Sequence, residues 1–570
     1  MLSQIDSILI ISTESDSLER SDIIGTGGWL PPEQRETLDW MTLGRVLGWR
    51  VIVIAPEKFT QINIEEQNIK WLILTGNPDN LDEVELNQIL HVVNSKPILL
   101  ITPVGKMGGH FEKHAGICLG NEIGSGNVIY WNGTGKKITW DCRNIIQLPS
   151  LKWESGYKSI VSLGNKEIVA TKRIGLGKIV VLSFQPSFAR DMEGYFTTLI
   201  KHLLIMECLA PVAWFNFENT LILRMDDPGS LEPVYNELYQ NTKLNEQDWE
   251  TIGVVLKKKH ARISLGYVPG FVDDGNVERG ILKIDGQLCS RRMGTVYQSH
   301  LVKYETIKEN SNHRIYDYQA EYRGIQKLRM EELAEVELHG YTHLHPDRIT
   351  WANATDRYLN TSWYREFGTE QVEYIKKNPS MIHPFDEGIK AFSNSWNVFP
   401  TTLICPGDKF TNDVLQKALH AGLMMVSSYY LCLRIENKFC WAQHICSPYF
   451  NEPDSKWFDS CLPVIGYFHD FDITINGTIW FSNYLDQWEK AGAKYFMDFK
   501  EVAAILNHSI SIKEIDDMYE LSVNAIDDSK LIRPVRMGIF FPDHAESLEL
   551  ILEIDHADKP IKISKKNGIG

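Results

Sequence analysis

The chain has 570 residues, 43% hydrophobic and 23% charged, a composition typical of globular proteins. Its length predicts about three or four domains. The formal net charge of −16 argues against a nucleic-acid or anionic-membrane partner, because phosphate-rich surfaces bind basic patches. Nine cysteines without a CxxC pair argue against a disulfide framework and a structural zinc site. With no apolar run of about 18 residues and no basic leader, we expect a cytoplasmic protein.

Residues 1–210 alternate short apolar runs with stretches of helical spacing. The runs SILIIST, WRVIVIAP, IKWLILTG and KPILLITP are bounded by turn residues, and LDWMTLGRVLG and DEVELNQILHVVN lie between them. This alternation predicts a parallel sheet with crossover helices. A later strand, KIVVLSFQPS, and a terminal helix, GYFTTLIKHLLIME, complete a predicted flavodoxin-like α/β domain.

A second α/β block is predicted over residues 211–509, after a boundary near Cys208–Asn219. It opens with TLILRMDDPGS, and further strands are predicted at ARISLGYVP, AEVELHG, PTTLICPG and LPVIGYFH. Residues 510–570 change character, because strand-like runs such as VRMGIFFP and SLELILEID are joined by short polar turns. We expect these last residues to form a small β-sandwich.

Two polar motifs follow apolar strands of the second block. In ELHGYTHLHPD, His339 and His343 stand four residues apart, and in LILRMDDPG, Asp226 and Asp227 end an apolar run. The carboxyl ends of parallel strands carry active sites, and a helical turn would place both imidazoles on one face. A catalytic zinc requires three protein ligands and an open position. One carboxylate can therefore complete a metal site, while the other takes a proton from water.

MDD followed by HGYTH resembles the first two motifs of the polysaccharide deacetylases, the NodB-homology proteins of carbohydrate esterase family 4. The resemblance covers roughly residues 215–505 and implies a distorted (β/α)7 barrel. It makes Asp226 the general base and Asp227, His339 and His343 the ligands of a divalent metal, with Zn²⁺ as the default. The family's last motif is a histidine at a strand end that acts as general acid, and PVIGYFHDFD offers His469. The implied substrate is an N- or O-acetylated carbohydrate.

The chain departs from the family pattern in three places. Cys405 precedes Pro406, where the family has an arginine that orients the base, and Arg224, two residues before Asp226, is the candidate replacement. No acidic residue occurs in MMVSSYYLCL, where the family's fourth motif carries an aspartate. About 110 residues separate the two metal motifs, and the excess predicts an insertion that shapes substrate specificity.

These departures leave two other functions open beside carbohydrate deacetylation. The apparent lack of a signal peptide favours a cytosolic amide hydrolase that acts on a small non-sugar molecule. The altered third and fourth motifs favour a non-catalytic carbohydrate-binding or regulatory protein. Among the neighbouring polar residues, His345 is expected to face solvent, and Asp408 and Lys409 are expected to be loop residues without a catalytic role.

A second motif, GICLG around Cys118, resembles the cysteine nucleophile elbow of class I glutamine amidotransferases. In that family the elbow directly ends a strand, whereas KPILLITPVG places Thr102 at the corresponding position. Gln185 and Ser187 stand where the family has its histidine and glutamate. Because a nucleophile needs an adjacent base, we predict that this amidotransferase-like domain is non-catalytic.

Overall fold

The structure is a computed structural model with a mixed α/β fold. It describes residues 5–14, 23–24, 35–64, 66–132, 138–184, 205–236, 241–307, 313–357, 359–428, 431–442, 453, 455–459, 463–526, 530–542, 546–552 and 559–564. Within these ranges, no helix is long and apolar enough to cross a membrane. The predicted terminal helix of the first domain falls largely outside the described residues, as do Gln185 and Ser187.

The helices and strands have the following bounds. The α-helices are α1 (Glu36–Leu47), α2 (Glu83–Ser95), α3 (His110–Ala115), α4 (Glu232–Tyr235), α5 (Glu246–Lys258), α6 (Tyr318–Met330), α7 (Arg348–Asn353), α8 (Thr369–Lys377), α9 (Pro384–Trp396), α10 (Asn412–Ala421), α11 (Asp470–Asn476), α12 (Thr478–Ala491) and α13 (Phe499–Leu506). The strands are β1 (Ser7–Ser12), β2 (Ile23–Ile24), β3 (Arg50–Ile54), β4 (Ile69–Thr75), β5 (Leu99–Pro103), β6 (Ile117–Trp131), β7 (Ile138–Trp153), β8 (Lys158–Leu163), β9 (Lys166–Ile174), β10 (Gly177–Leu182), β11 (Val212–Phe215), β12 (Thr220–Asp226), β13 (Ile263–Tyr267), β14 (Gly270–Val272), β15 (Gly280–Ile284), β16 (Gln287–Leu288), β17 (Val296–Gln298), β18 (Val302–Thr306), β19 (Ile315–Asp317), β20 (Ala334–Leu338), β21 (Thr402–Ile404), β22 (Phe410–Thr411), β23 (Met425–Ser427), β24 (Leu431–Ile435), β25 (Lys438–Ala442), β26 (Val464–His469), β27 (Tyr495–Phe496), β28 (His508–Ile515), β29 (Met518–Ala525), β30 (Val535–Phe541), β31 (Glu546–Leu552) and β32 (Ile561–Ser564).

The first sheet has the strand order β3-β1-β4-β5-β10-β9-β8-β6-β7. Its first five strands pair in parallel, as the alternating pattern predicts, and β1 and β5 are buried along nearly their whole length. Parallel strands covered on both faces read as continuous apolar runs, which is the pattern of SILIIST and KPILLITP. The remaining strands pair antiparallel and extend this sheet on one side.

The second large sheet has the order β26-β12-β13-β20-β21-β23-β24-β25, and β27 also pairs with β12. Neighbours from β26 to β23 are parallel, and β24 and β25 add an antiparallel hairpin. Among the described residues this sheet is open, since no pairing joins its two ends. The parallel α/β block is thus observed, whereas the closed (β/α)7 barrel stays a prediction.

The excess residues between the two metal motifs form a subdomain of their own. Strand β14 pairs with β17, and β16-β15-β18-β19 form a four-stranded antiparallel sheet. Their core is aromatic and includes Tyr235, Phe271 and Tyr304, and it also contains Leu344 from the HGYTHLH segment. The insertion therefore packs directly beside the predicted metal motif.

The C-terminal strands form two three-stranded sheets, β28-β29-β32 and β11-β30-β31. The second sheet includes β11, which pairs antiparallel with β30 from Val212 opposite Phe540 to Phe215 opposite Met537. The sequence placed β11 in the 211–509 block, but its pairing partner lies in the 510–570 region. Local pattern could not reveal this pairing, because the two strands are more than 300 residues apart in the chain.

Candidate metal centre

The predicted site residues meet at the carboxyl edge of the second sheet. Asp226, the last residue of β12, lies opposite His469, the last residue of β26. His339 follows β20, and its backbone N–H donates to the carbonyl oxygen of Tyr267 at the end of β13 (3.0 Å). Since the carboxyl ends of parallel strands share one edge, residues from distant parts of the chain come together there.

Asp227, His339 and His343 converge as a group of three possible metal ligands. Oδ1 of Asp227 lies 3.5 Å from Nε2 of His339 and 3.6 Å from Nε2 of His343, and the three ligand atoms lie within 4.8 Å of one another. Bonds of about 2.0–2.1 Å to a tetrahedral zinc imply ligand–ligand distances of about 3.3 Å. The spacing of these donors therefore fits one small divalent cation.

The hydrogen bonds around the three side chains also fit a metal. Nδ1 of His339 lies 3.0 Å from the carbonyl oxygen of Ile404, which can only accept, so this nitrogen carries the proton and Nε2 keeps its lone pair. Oδ1 of Asp227 is buried and has no hydrogen-bond partner of good geometry among the described residues. A buried carboxylate oxygen without such a partner is an expected feature of a metal ligand.

At two of the candidate ligands the backbone adopts a conformation that is rare for residues other than glycine. Asp227 has φ 78° and His343 has φ 57°, both in the left-handed region. The HGYTH segment is a loop with Gly340 at φ 70°, so the predicted helical turn is wrong, although the two imidazole centroids still lie 4.7 Å apart. A Cβ on Gly340 would lie 2.2 Å from Oε2 of Glu366, so only glycine fits there.

Glu366 holds the HGYTH loop in place. Its carboxylate accepts hydrogen bonds from the backbone N–H groups of Tyr341 (2.7 Å) and Thr342 (3.1 Å) and from the hydroxyl of Thr342 (3.1 Å). Burial raises the pKa of Glu366 to about 7, against the lowering effect of these hydrogen bonds. Sequence reasoning missed this residue, because a lone glutamate in an irregular segment gives no signal.

The pKa shifts of the three candidate ligands differ. Burial would raise the pKa of Asp227, but the neighbouring imidazoles, first His339 and then His343 and His469, outweigh it and lower the pKa. Burial lowers the pKa of His343 to about 4. For His339 the lowering by burial is outweighed by Asp226 and Asp227, so its pKa is raised. Asp227 and His343 are thus held in the metal-binding form at neutral pH, and the raised pKa of His339 means that a proton competes with a metal for its Nε2.

Asp226 is fixed by Arg224, as the sequence suggested. Nε of Arg224 donates to Oδ1 of Asp226 (2.9 Å) and Nη2 donates to Oδ2, a bidentate pair in which both side chains are buried. Nη1 of Arg224 also donates to the carbonyl oxygen of Ser428 (2.7 Å). Asp408 lies 3.4 Å from Nη2 of Arg224 and is buried, so it belongs to the site rather than to an ordinary loop.

His469 lies at the open side of the site, with its side chain 18% exposed. Its Nε2 is 2.6 Å from the hydroxyl of Tyr467, and its ring stacks on Phe471 at a centroid distance of 4.7 Å. The backbone N–H of His469 donates to Asp472 (2.8 Å), whose Oδ2 lies 3.9 Å from Nδ1. Asp472 thus supplies a carboxylate beside this histidine. It comes from three residues downstream, whereas the aspartate of the family's fourth motif was expected in the segment MMVSSYYLCL.

The expectation that His345 faces solvent is wrong. His345 is buried, its Nδ1 accepts a hydrogen bond from the backbone of Asp347 (3.0 Å), and its ring contacts those of Trp363 and Tyr374. It is absent from the group of converging ligands. Lys409 is half-buried, beside Asp408.

The predicted nucleophile positions of the first domain have a different environment. Thr102 is buried, and its hydroxyl donates to the carbonyl oxygen of Pro103 (2.7 Å). Cys118 is buried at the start of β6, and burial together with Glu112 raises the pKa of its thiol to about 11. The raised pKa disfavours the reactive thiolate of Cys118, and the non-catalytic role of this domain stays a prediction.

No family model matches the chain, and no curated protein matches it. Among solved structures, it is similar to a CE4 family pseudoenzyme from Bacillus anthracis (9% identity, 50% of this chain and 66% of that one, TM-score 0.26). It is also similar to a mutant CE4 pseudoenzyme with restored enzymatic activity (10% identity, 50% and 68%, TM-score 0.26). An exo-β-1,4-mannosidase from Opitutaceae bacterium strain TAV5 matches over 31% of each chain (11% identity, TM-score 0.21). Similarities with such low TM-scores do not support any function. The functional argument therefore rests on the residues of the site.

Proposed function

We propose that the chain is a metal-dependent hydrolase that removes an acetyl group from an N- or O-acetylated carbohydrate. The observation that supports the proposal most is the convergence of Asp227, His339 and His343 beside an arginine-held Asp226. Metal hydrolases need three protein ligands, a base and an acid, and this sheet edge carries residues suited to all five positions. The carbohydrate substrate comes from the resemblance of the MDD and HGYTH motifs.

The three ligands would hold one divalent cation, for which Zn²⁺ is our proposal. A cation at this position would supply Lewis-acid chemistry, polarising an acyl oxygen and making water easier to deprotonate. Two imidazoles and one carboxylate also suit other first-row divalent ions, so the donor set does not by itself select zinc.

Asp226 and His469 divide the proton transfers in this mechanism. Asp226 accepts a proton from the attacking water, and Arg224 fixes the orientation of its carboxylate through two parallel hydrogen bonds. His469, partly exposed at the edge of the site, donates a proton to the departing amine or alcohol. The hydroxyl of Tyr467 and the ring of Phe471 restrain that imidazole during the transfer.

The altered third motif leaves a non-catalytic carbohydrate-binding protein as the second candidate. Cys405 is fully buried and cannot provide the charge that the family's arginine provides. The bidentate contact between Arg224 and Asp226 favours the enzyme, because it supplies that charge from within the same strand. A hydrolase acting on a small non-sugar amide would use the same residues and differs only in substrate.

The test compares two acyl substrates in the wild-type protein and in His469→Ala, each loaded with Zn²⁺. Wild-type protein should hydrolyse both 4-nitrophenyl acetate and an N-acetylglucosamine oligomer. His469→Ala should lose about 10²–10⁴-fold on the oligomer, whose amine needs a proton, and much less on the ester, whose phenolate leaves unaided. A metal-loaded wild-type protein that hydrolyses neither substrate would favour the binding protein, and hydrolysis of 4-nitrophenyl acetate without hydrolysis of the oligomer would favour the non-sugar hydrolase.

A further inference from the structure

A buried lysine, Lys243, contacts the backbone of Asp227 in the candidate metal centre. Nζ of Lys243 donates to the backbone carbonyl oxygen of Asp227 (3.1 Å) and to Oδ2 of Asp470, and it lies 3.2 Å from Oε1 of Glu321. The side chains of Lys243, Asp470 and Glu321 are each at most 3% exposed. Lys243 thus contacts the main chain of a proposed metal ligand while it is paired with two carboxylates.

Lys243, Glu321 and Asp470 form an ionic cluster, and Glu321 also contacts the turn Asp227–Gly229. Oε2 of Glu321 accepts a hydrogen bond from the backbone N–H of Gly229 (2.8 Å), and Gly229 has φ 82°. A Cβ on Gly229 would lie 2.3 Å from the carbonyl oxygen of Val268, so the turn is tightly enclosed. Lys243 and Glu321 therefore bind the two ends of the Asp227–Gly229 turn, in which Asp227 has its unusual φ of 78°.

The third member of the cluster joins a second part of the site. Asp470 is the residue after His469, at the beginning of α11. By pairing with Asp470 and with the carbonyl of Asp227, Lys243 connects the turn after β12 to the junction between β26 and α11. The turn carries the proposed metal ligand Asp227, and the junction carries the proposed general acid His469.

Stability alone is a weak explanation for this cluster. Removing charges from water is costly, and replacing a buried ion pair by apolar side chains is often neutral or stabilising. A buried lysine contacting two carboxylates and a strained backbone carbonyl is better explained by the geometry that it imposes. Partners of metal ligands that fix orientation in this way typically change metal affinity when they are altered.

We infer that Lys243 is a positioning residue of the metal centre. It holds the Asp227 backbone so that Oδ1 faces both histidines, and it fixes the end of β26, which carries His469, relative to that ligand. This inference rests on the proposed function, because it assumes that Asp227, His339 and His343 bind a cation.

The test uses Co²⁺ as the probe, because its visible absorption reports ligand geometry without any substrate. Lys243→Met alone leaves two buried carboxylates without a cation, so the decisive variant is Lys243→Met/Asp470→Asn, compared with Asp470→Asn. Lys259→Met is the matched control, since Lys259 also pairs with two carboxylates, Asp486 and Glu489, but away from the site. Circular dichroism and thermal melting verify that each variant is folded.

Wild-type protein, Lys259→Met and Asp470→Asn should each bind one Co²⁺ per chain. The double variant should bind it about 10–100-fold more weakly than Asp470→Asn, with a changed visible spectrum. A folded double variant with the affinity and spectrum of Asp470→Asn would overturn the positioning role, and so would a double variant that does not fold. If wild-type protein itself binds no Co²⁺, the metal centre is wrong and the proposed function fails with it.

Discussion

The two large sheets of this protein both carry polar residues after the carboxyl ends of their parallel strands, but these residues have different environments. In the first sheet, the carboxylate of Glu14 accepts hydrogen bonds from the backbone N–H groups of Glu36 and Thr37 at the start of α1, and the hydroxyl of Thr102 is bound by its neighbour's carbonyl. In the second sheet, Oδ1 of Asp227 faces two imidazole nitrogens without a well-formed hydrogen bond to either. A parallel sheet therefore provides the location, but chemistry requires donor atoms that the surrounding fold leaves unsatisfied.

The largest expected effect is the loss of metal binding at the second sheet. His339→Ala and His343→Ala each remove a ligand atom, so each should abolish the binding of about one divalent ion per chain. Metal content after dialysis, measured by mass spectrometry, decides the matter. His420→Ala changes an exposed histidine outside the site and should retain the metal. A His339→Ala protein that still holds one equivalent would remove the basis of the assignment.

A second, smaller effect separates the two neighbouring carboxylates. Asp227→Asn should weaken metal binding, because a neutral amide is a poorer ligand. Asp226→Asn should keep the metal and lose about 10²–10⁴-fold in turnover, because an amide cannot take a proton from water. Metal content and hydrolysis of 4-nitrophenyl acetate are measured on the same samples. The opposite result, with metal lost only from Asp226→Asn, would reverse the two roles.

The third prediction concerns a buried carboxyl group, Glu36, at the beginning of α1 beside the first sheet. Burial raises the pKa of Glu36 to about 8, well above the value of about 4.3 expected in the unfolded chain. The folded state then holds a proton that the unfolded state has released, so the free energy of unfolding falls as pH rises between these two values. Glu36→Gln cannot ionise and should lose this part of the pH dependence, on the order of a few kcal/mol.

Urea unfolding at pH 5 and pH 8.5, followed by tryptophan fluorescence, measures the slope for Glu36→Gln and wild-type protein. Glu57→Gln, at an exposed position of the same domain, is the control and should keep the wild-type slope. An unchanged slope in Glu36→Gln would mean that Glu36 is ionised in the folded protein. Neither variant should change metal content, because both lie in the first domain.

The smallest expected effect is at Cys118, where we predict no change at all. The thiol is buried and its pKa is raised to about 11, so its reactive thiolate is scarce at neutral pH. Cys118→Ala should leave hydrolysis unchanged, and iodoacetamide should label Cys118 slowly, as peptide mass spectrometry would show. Rapid labelling, or glutaminase activity that Cys118→Ala abolishes, would give the first sheet a catalytic role of its own.

Local sequence was sufficient to predict the ends of the key strands. TLILRM before Asp226 and EVEL before His339 are apolar runs broken by a polar motif, and that transition marks the edge of a buried sheet. Arg224 was also predictable, because residues two apart on a strand point to the same face. The fold class followed from the same alternation, since apolar runs separated by helical spacing indicate parallel strands joined by helices.

The residues that hold the site depended on tertiary structure. Glu366 and Lys243 lie in irregular segments and Asp408 lies in a short 3-10 turn, and nothing in their local sequence distinguishes them from solvent-exposed residues. They became part of the site because folding buries them against backbone groups and charges that are remote in the chain.

The sequence by itself determined which residue types stand at the ends of which strands, because hydrophobic runs and their breaks are local properties. Only the tertiary structure decided that Asp227, His339 and His343 face one another, that β11 joins the C-terminal strands, and that the HGYTH segment is a loop instead of a helix. The reason is physical. Strand order, backbone strain at the ligands and the burial of charged partners are set by packing between distant segments, which no local pattern encodes.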